Sequence, residues 1–187
     1  MLFMITPIHL LIIVVVLLVV YGITYIGKGL FRFFKFSSVQ LRKSESLWLV
    51  IFGLILVLFT GISEYVKFSP KFSIITILGL LLFSAGVIFQ FYLIKQNKDF
   101  VLKKALKTEI TGIFKKIRFP GYSALMIMLL GLSILFESMW AVAIFVILFF
   151  PAVMYRMAQE EALLSDIDED KFELYASESD RLIPKIY

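Results

Sequence analysis

The sequence predicts an all-α, multi-pass membrane helix bundle with about five transmembrane helices, in one domain that covers residues 1–187. Hydrophobic residues make up 60% of the positions and the mean hydropathy is +0.94, which is too apolar for a water-soluble domain of this length. A bilayer core needs roughly 20 apolar residues per spanning helix, and four or five such segments can be marked. One bundle then uses nearly the whole chain, so we expect a single domain.

The first half of the chain predicts three transmembrane helices, within residues 1–94. The first apolar run has no positively charged leader and no small-residue cleavage site, which favours a retained helix over a signal peptide. Ser69 and Pro70 mark a short turn before the third run. The three runs are residues 3–26, 47–66 and 72–94.

The second half, residues 95–187, predicts a cytoplasmic loop, a helical hairpin and a cytoplasmic tail. After a polar, basic loop comes a short apolar run at residues 122–136, and Glu137 separates it from a longer run at 139–157. A helix as short as the first barely crosses a bilayer, so we expect two tightly paired helices that turn at Glu137. Pro151 is expected to kink the second helix.

The positive charges predict the orientation of the chain in the membrane. They concentrate after the first and third apolar runs, whereas the loop between the second and third runs holds only Glu64, Lys67 and Lys71. Positive loops stay cytoplasmic, so we expect the N-terminus outside and the C-terminus in the cytoplasm. Such charges attract anionic membrane lipids. No nucleic-acid-binding motif accompanies them, so they do not indicate a nucleic-acid partner.

Several kinds of chemistry are excluded by composition. The chain has no cysteine, so a thiolate site cannot form. Its one histidine, His9, is predicted on the outer half of the first helix, which disfavours a Ser-His-Asp triad and a histidine-based metal cluster, and we expect no metal. The apolar runs carry few ionisable residues, which disfavours an ion or proton pathway through their centre.

Two polar motifs flank the predicted hairpin and form the candidate site. Arg118-Phe119-Pro120-Gly121-Tyr122 precedes it, and Arg156 with Glu160 and Glu161 follows it at helical spacing. Alone, the first is an ordinary turn with an interfacial tyrosine, and the second is an ordinary solvated helix face. Together they leave the same cytoplasmic end of one hairpin, so we expect them to lie close to each other.

These motifs resemble the integral membrane methyltransferases that include isoprenylcysteine carboxyl methyltransferase and the phospholipid methyltransferases. The resemblance covers roughly residues 105–187, and the first three helices match only as hydrophobic spans. It implies a five-helix fold, S-adenosylmethionine bound between hairpin, loop and tail, and a lipid or prenyl-type acceptor that enters from the bilayer. The residues at matching places are Gly112, Ile117, Arg118, Pro120, Tyr122, Arg156, Glu160, Glu161, Leu164, Tyr175, Arg181, Leu182 and Pro184.

The resemblance also implies roles for individual residues. Arg156 and Glu161 would be catalytic, facing the acceptor or fixing the geometry around it. A carboxylate acceptor would need a cationic anchor such as Arg156, whereas a lipid amine would need a base such as Glu161, and the sequence leaves this choice open. The implied cofactor-binding residues are Glu109, Gly112, Arg118, Phe119, Tyr122, Glu160, Arg181, Leu182 and Pro184.

The chain departs from the family pattern at three aromatic positions. Phe119 replaces the family histidine, Phe114 replaces the first tyrosine, and Phe172 stands where a tyrosine is common. Each phenylalanine keeps the aromatic volume and removes a hydrogen-bonding group. Two alternatives therefore stay open: a non-catalytic membrane protein that retains the fold, and a membrane NADPH-dependent reductase with a similar hairpin entry and tail.

Overall fold

A computed structural model of the protein describes residues 45–68, 73–96, 112–166 and 168–182. Throughout these ranges the chain is helical without a strand, apart from an isolated parallel bridge between Ile117 and Asp180, which confirms the predicted all-α class. The first predicted helix at residues 3–26 and most of the basic loop lie outside the described residues, as do Glu109 and Pro184.

Five helices account for most of the described chain. Three of them are long and apolar enough, by length and composition, to cross a membrane: Glu45–Phe68, Ile74–Leu93 and Met139–Ser165. These segments support an integral membrane protein. The helices are α1 Glu45–Phe68, α2 Ile74–Gln96, α3 Pro120–Leu135, α4 Met139–Ser165 and α5 Glu169–Glu178, with a 3₁₀ turn at Gly112–Lys115 before α3.

The short helix α3 packs chiefly against α2, antiparallel to it, and glycines allow the close approach. A methyl group placed on Gly79 would lie 2.3 Å from the backbone nitrogen of Leu135, and one placed on Gly131 would lie 2.4 Å from that of Phe83. Tight pairing was expected between α3 and α4 across Glu137, whereas the tightest pairing of α3 is with the preceding helix. The physical reason is the small-residue surface, which lets two backbones touch and gains van der Waals contact.

Helix α4 packs against α1, again antiparallel. Phe149 of α4 packs against Gly53 near the middle of α1. Phe136, just before α4, packs against Gly61 further along α1. Ser46 at the start of α1 reaches Gln159 near the end of α4. The bundle therefore has two ends: Ser46 and Gln159 lie at one, and the turn between α3 and α4 lies at the other.

Helix α4 departs from α-helical geometry directly before Pro151. Residues Phe145–Phe149 form a π-helical turn, in which the N–H of Phe150 donates to the carbonyl of Phe145. Proline has no N–H to donate, and a wider turn accommodates the ring that an α-helix interior would exclude. The disruption expected at Pro151 thus takes the form of a π turn, and the chain continues as helix to Ser165.

The turn between α3 and α4 is stabilised by hydrogen bonds from hydroxyl groups to carboxylates. Glu137 has a left-handed backbone with φ of 53°, and its carboxylate accepts hydrogen bonds from Ser73 and from Thr76, the latter at 2.7 Å. Ser138 donates to Glu64 and caps α4 by accepting from the N–H of Ala141. We call this cluster the Glu137 end of the bundle.

Candidate active site

The segment before α3 and the tail after α5 lie side by side, joined through their backbones. The N–H of Arg118 donates to Asp180 O at 2.8 Å, and the N–H of Phe119 donates to Arg181 O at 3.1 Å. The hydroxyl of Ser123 donates to Leu182 O at 2.8 Å. These bonds place Arg118 next to Arg181, and Phe119 next to Leu182, although more than 60 residues separate the two segments in sequence.

A buried polar group joins α3 to α4 at the same end of the bundle. Arg156 is fully buried, and its Nε donates to Glu160 Oε1 at 2.8 Å. The hydroxyl of Tyr122 donates to the same carboxylate oxygen at 2.9 Å. A second guanidinium nitrogen of Arg156 donates to the hydroxyl of Ser46 on α1, at 3.3 Å. The two charges compensate each other inside the bundle, as buried ions require.

Glu161, which follows Glu160 in α4, bridges two arginines: one in the segment before α3 and one in the tail after α5. It lies 3.2 Å from an NH1 nitrogen of Arg118 and 2.8 Å from an NH2 nitrogen of Arg181, whose Nε also donates to it at 3.0 Å. We call the cluster of Arg118, Tyr122, Arg156, Glu160, Glu161 and Arg181 the Arg156 end of the bundle.

The Arg156 end has an unused hydrogen-bond donor. Three guanidiniums and two carboxylates meet there. The Nε of Arg118 is buried and has no hydrogen-bond partner among the described residues. A buried donor without a partner is costly, and an anionic ligand group would satisfy it. The donor set therefore fits a ligand that carries a carboxylate.

The structure brings together most of the predicted site residues it describes. Phe119, which replaces the family histidine in the motif, is buried with its ring centroid 6.1 Å from that of Tyr122. Leu182 is buried in the same apolar cluster. Gly112 lies further out, at the start of the 3₁₀ turn, where φ of 71° favours glycine.

Three residues near the Arg156 end were not predicted from the sequence: Ser46, Ser123 and Gln159. Ser46 is fully buried, yet it precedes Arg156 by 110 residues and only packing brings the two together. Gln159 stands inside the second motif, directly before Glu160, so its position was a signal that could have found it. Ser123 follows Tyr122 in the same way, and its link to Leu182 depends on where the tail lies.

Helix α5 positions the tail for these contacts. Asp168 caps it by accepting from the N–H of Lys171, and Phe172 and Tyr175 form its buried face. The hydroxyl of Tyr175 donates to Phe114 O at 2.8 Å, which ties α5 to the 3₁₀ turn. Burial raises the pKa of the Tyr175 phenol well above its ordinary value, so the phenol remains a donor at neutral pH.

One of three comparisons with known proteins found a match. Searches of curated proteins and of solved structures each found no match to the chain. The model of the isoprenylcysteine carboxyl methyltransferase (ICMT) family matches residues 72–166, half of the chain, from α2 to the end of α4. The matched range includes Arg118, Tyr122, Arg156, Glu160 and Glu161. The chain therefore belongs to the isoprenylcysteine carboxyl methyltransferase family of membrane methyltransferases.

Proposed function

We propose that this protein is an integral membrane methyltransferase that uses S-adenosylmethionine and methylates a lipid or prenyl-type acceptor at the Arg156 end. The observation that carries the proposal is the meeting of three sequence-distant segments in one polar cluster with an unsatisfied donor, the Nε of Arg118. Family membership supplies the reaction class. The bound cofactor would supply an electrophilic methyl group on a sulfonium.

The residues of the Arg156 end suit that cofactor by their chemistry. Arg118 would hold its carboxylate, because its buried Nε has no partner among the described residues, and Arg181 would assist from beside it on Glu161. Tyr122, Glu160, Phe119 and Leu182 would line the same pocket, as the resemblance implies. Orientation and exclusion of water are what such a transfer needs from the protein, and closely packed helices provide both.

The contacts of Arg156 and Glu161 refine their predicted catalytic roles. Arg156 is fully buried and bonded to Glu160 and Ser46, so we propose that it positions Glu160 and Tyr122. Both carboxylate oxygens of Glu161 contact guanidiniums, so one of these contacts would have to break before Glu161 could accept a proton. An acceptor that needs no base fits this better, which favours a carboxylate on an apolar anchor over a lipid amine.

We extend the proposal to topology: five membrane-embedded helices, α3 and α4 as a hairpin, the N-terminus outside, and the Arg156 end with α5 in the cytoplasm. The charge distribution along the sequence supports it. Because the chain has no cysteine, single cysteines can report on sidedness. Ser177→Cys should react from the cytoplasmic side and Ser69→Cys from the outside; the reverse pattern would overturn the orientation.

Cofactor binding tests the function. Calorimetry with S-adenosylhomocysteine in nanodiscs should show binding to the parent, tighter binding to Phe119→His, and weaker binding to Glu160→Ala. One hydrogen bond to a charged group changes affinity roughly tenfold to hundredfold, which sets the gain expected from the restored imidazole.

Phe119→Leu is the matched control, since it removes the ring without adding a polar group and should not tighten binding. If neither the parent nor Phe119→His binds while both remain folded, the methyl-donor site is disproved and the non-catalytic alternative takes its place. Binding of NADPH in the same assay would instead support the reductase.

A further inference from the structure

Gln90 on α2 is a buried amide that nothing described so far explains. Its side chain is 1% exposed, and neither its Nε2 nor its Oε1 has a hydrogen-bond partner among the described residues. It is the only amide side chain in the span Ile74–Leu93, which is otherwise almost entirely apolar. Polar side chains in such spans are rare because they are costly, and they commonly mark functional sites.

Packing places Gln90 beside the beginning of α3. The antiparallel register of α2 and α3 pairs Gly79 with Leu135, while a methyl group on Gly86 would lie 2.8 Å from the nitrogen of Met128 and 3.1 Å from the carbonyl oxygen of Ala124. Gln90 follows one helical turn later on the same buried stripe of α2. It therefore lies level with the first turn of α3, which carries Tyr122 and begins two residues after Arg118.

Other buried polar side chains of these two helices have hydrogen-bond partners. Thr76, two heptads before Gln90 on the same stripe, donates to Glu137, and Ser133 of α3 donates to Leu129 O. Gln90 stands apart because both of its polar atoms lack a partner in the part of the chain that the structure describes. The Nε of Arg118 is another buried atom without a hydrogen-bond partner among the described residues, so two such side chains flank the start of α3. That coincidence points to one ligand that contacts both.

We propose that Gln90 binds the adenine of the cofactor, its Oε1 accepting from the 6-amino group and its Nε2 donating to the neighbouring ring nitrogen. This rests on the proposed function, and it adds a base-recognising residue on α2 to the site. A glutamine amide matches adenine because each presents one donor and one acceptor side by side, which permits two parallel hydrogen bonds.

Other ligand groups satisfy Gln90 less well. A phosphate or carboxylate offers only acceptors, and a quaternary ammonium offers no donor, so each leaves at least one atom of the amide unpaired. A trans peptide unit presents its N–H and its C=O in opposite directions and cannot pair with both atoms of one amide. Adenine is thus the part of the reactants whose hydrogen-bonding pattern complements this residue.

The test pairs a variant with a cofactor analogue. Calorimetry in nanodiscs would compare S-adenosylhomocysteine with its purine analogue that lacks the 6-amino group, on the parent and on Gln90→Leu. The parent should prefer the adenine compound by roughly tenfold to hundredfold, and Gln90→Leu should bind both compounds with equal, weakened affinity. Thr76→Val is the matched control: it removes a buried polar group from the same stripe far from the site, and should keep the parent's preference.

Thermal unfolding without ligand gives an independent readout. Because Leu removes an unsatisfied amide from an apolar interface, Gln90→Leu should unfold at or above the parent's temperature while losing the stabilisation that S-adenosylhomocysteine gives the parent. A lower unfolding temperature without ligand would assign Gln90 a structural partner and overturn the proposal.

The outcomes separate this inference from the proposed function. If the parent binds S-adenosylhomocysteine and Gln90→Leu keeps the parent's preference for the amino group, the role of Gln90 is disproved and the methyltransferase stands. If Gln90→Leu leaves cofactor binding unchanged but raises the KM for the acceptor, Gln90 belongs to the acceptor site instead. If the folded parent binds neither compound, both proposals fail.

Discussion

The two ends of the helix bundle both hold carboxylates between helices, but they satisfy them with different partners. At the Glu137 end, hydroxyl groups of Ser73, Thr76 and Ser138 donate to Glu137 and Glu64. At the Arg156 end, three guanidiniums and a phenol surround the two carboxylates. Hydroxyl groups bind a carboxylate without adding charge, whereas guanidiniums add positive charge.

The difference suggests that one end closes the fold and the other can accept a ligand. Among the described residues, the buried side-chain atoms without partners include those of Gln90, which lies level with the first turn of α3, and the Nε of Arg118 at the Arg156 end, and none from the Glu137 cluster. Unsatisfied buried groups lower stability unless a ligand pairs with them. Variants at the Glu137 end should therefore change stability alone, and variants at the Arg156 end should change stability and binding together.

The largest effect is expected from breaking the buried pair of Arg156 and Glu160. Arg156→Leu leaves a buried carboxylate with only Tyr122 as a partner, and should cost about 3–5 kcal/mol of unfolding free energy in an SDS titration. The double variant Arg156→Leu, Glu160→Leu should recover most of that loss, because it buries no unpaired charge. It should nonetheless fail to bind S-adenosylhomocysteine. A single variant as stable as the parent would show that the pair is not buried.

Removing the bridge at Glu161 should have the next largest effect. Glu161→Ala leaves Arg118 and Arg181 without their shared partner, and because Arg181 is partly exposed we expect about 2 kcal/mol. Amide hydrogen exchange at Phe119 and Asp180 should speed up, since their N–H groups join the two segments.

The exposed pair of Asp168 and Lys171 provides the control for that variant. Lys171→Ala breaks a contact of 2.9 Å between side chains that are 33% and 60% exposed, so it should change stability by less than about 0.5 kcal/mol. Equal effects of Glu161→Ala and Lys171→Ala would mean that the bridge contributes no more than a surface ion pair.

At the Glu137 end, two substitutions separate the side chain from the backbone. Glu137→Gly and Glu137→Ala both lose the bonds to Ser73 and Thr76, at about 1–2 kcal/mol. Ala should lose about 1 kcal/mol more than Gly, because φ of 53° strains any residue with a Cβ. Neither should alter binding of S-adenosylhomocysteine. Lost binding in Glu137→Gly would contradict the separation of the two ends.

The smallest effect concerns Tyr175 and is best seen in its pH dependence. A phenol whose pKa is raised in the folded state stabilises the fold below its unfolded pKa, about 10, and loses that contribution as pH rises through the folded pKa. The thermal stability of the parent should therefore fall above about pH 10 more steeply than that of Tyr175→Phe. At neutral pH the variant should lose about 1 kcal/mol, from the bond to Phe114 O. If the parent and Tyr175→Phe have identical pH profiles, the phenol of Tyr175 is not a buried donor.

The sequence analysis succeeded where composition and local order decide the outcome. The apolar runs at 47–66, 72–94 and 139–157 each correspond to a helix long enough to span. The motifs also pointed to a family that the family model confirms. Hydropathy is a property of each segment by itself, and a motif retains its spacing along the chain, so both can be recognised before packing is known.

Pairing between segments was predicted less well, because it depends on shape. Tight packing was expected between neighbours in sequence, α3 and α4, yet Gly79, Gly86 and Gly131 let α2 approach α3 more closely. Hydropathy does not distinguish a glycine that faces a partner helix from one that faces lipid. Likewise, the serine that reaches Arg156 comes from the start of α1, and no local pattern marks it.

By itself the sequence determined that this protein is a helical membrane protein and that its chemistry gathers in two motifs around one turn, because apolar length and motif spacing are local properties. Only the tertiary structure decided which charges meet. It brought Arg156 and Tyr122 to Glu160, set Glu161 between Arg118 and Arg181, and left the amide of Gln90 without a partner among the described residues. Such contacts join residues that are far apart along the chain, and only the packing of the helices brings them within hydrogen-bonding distance.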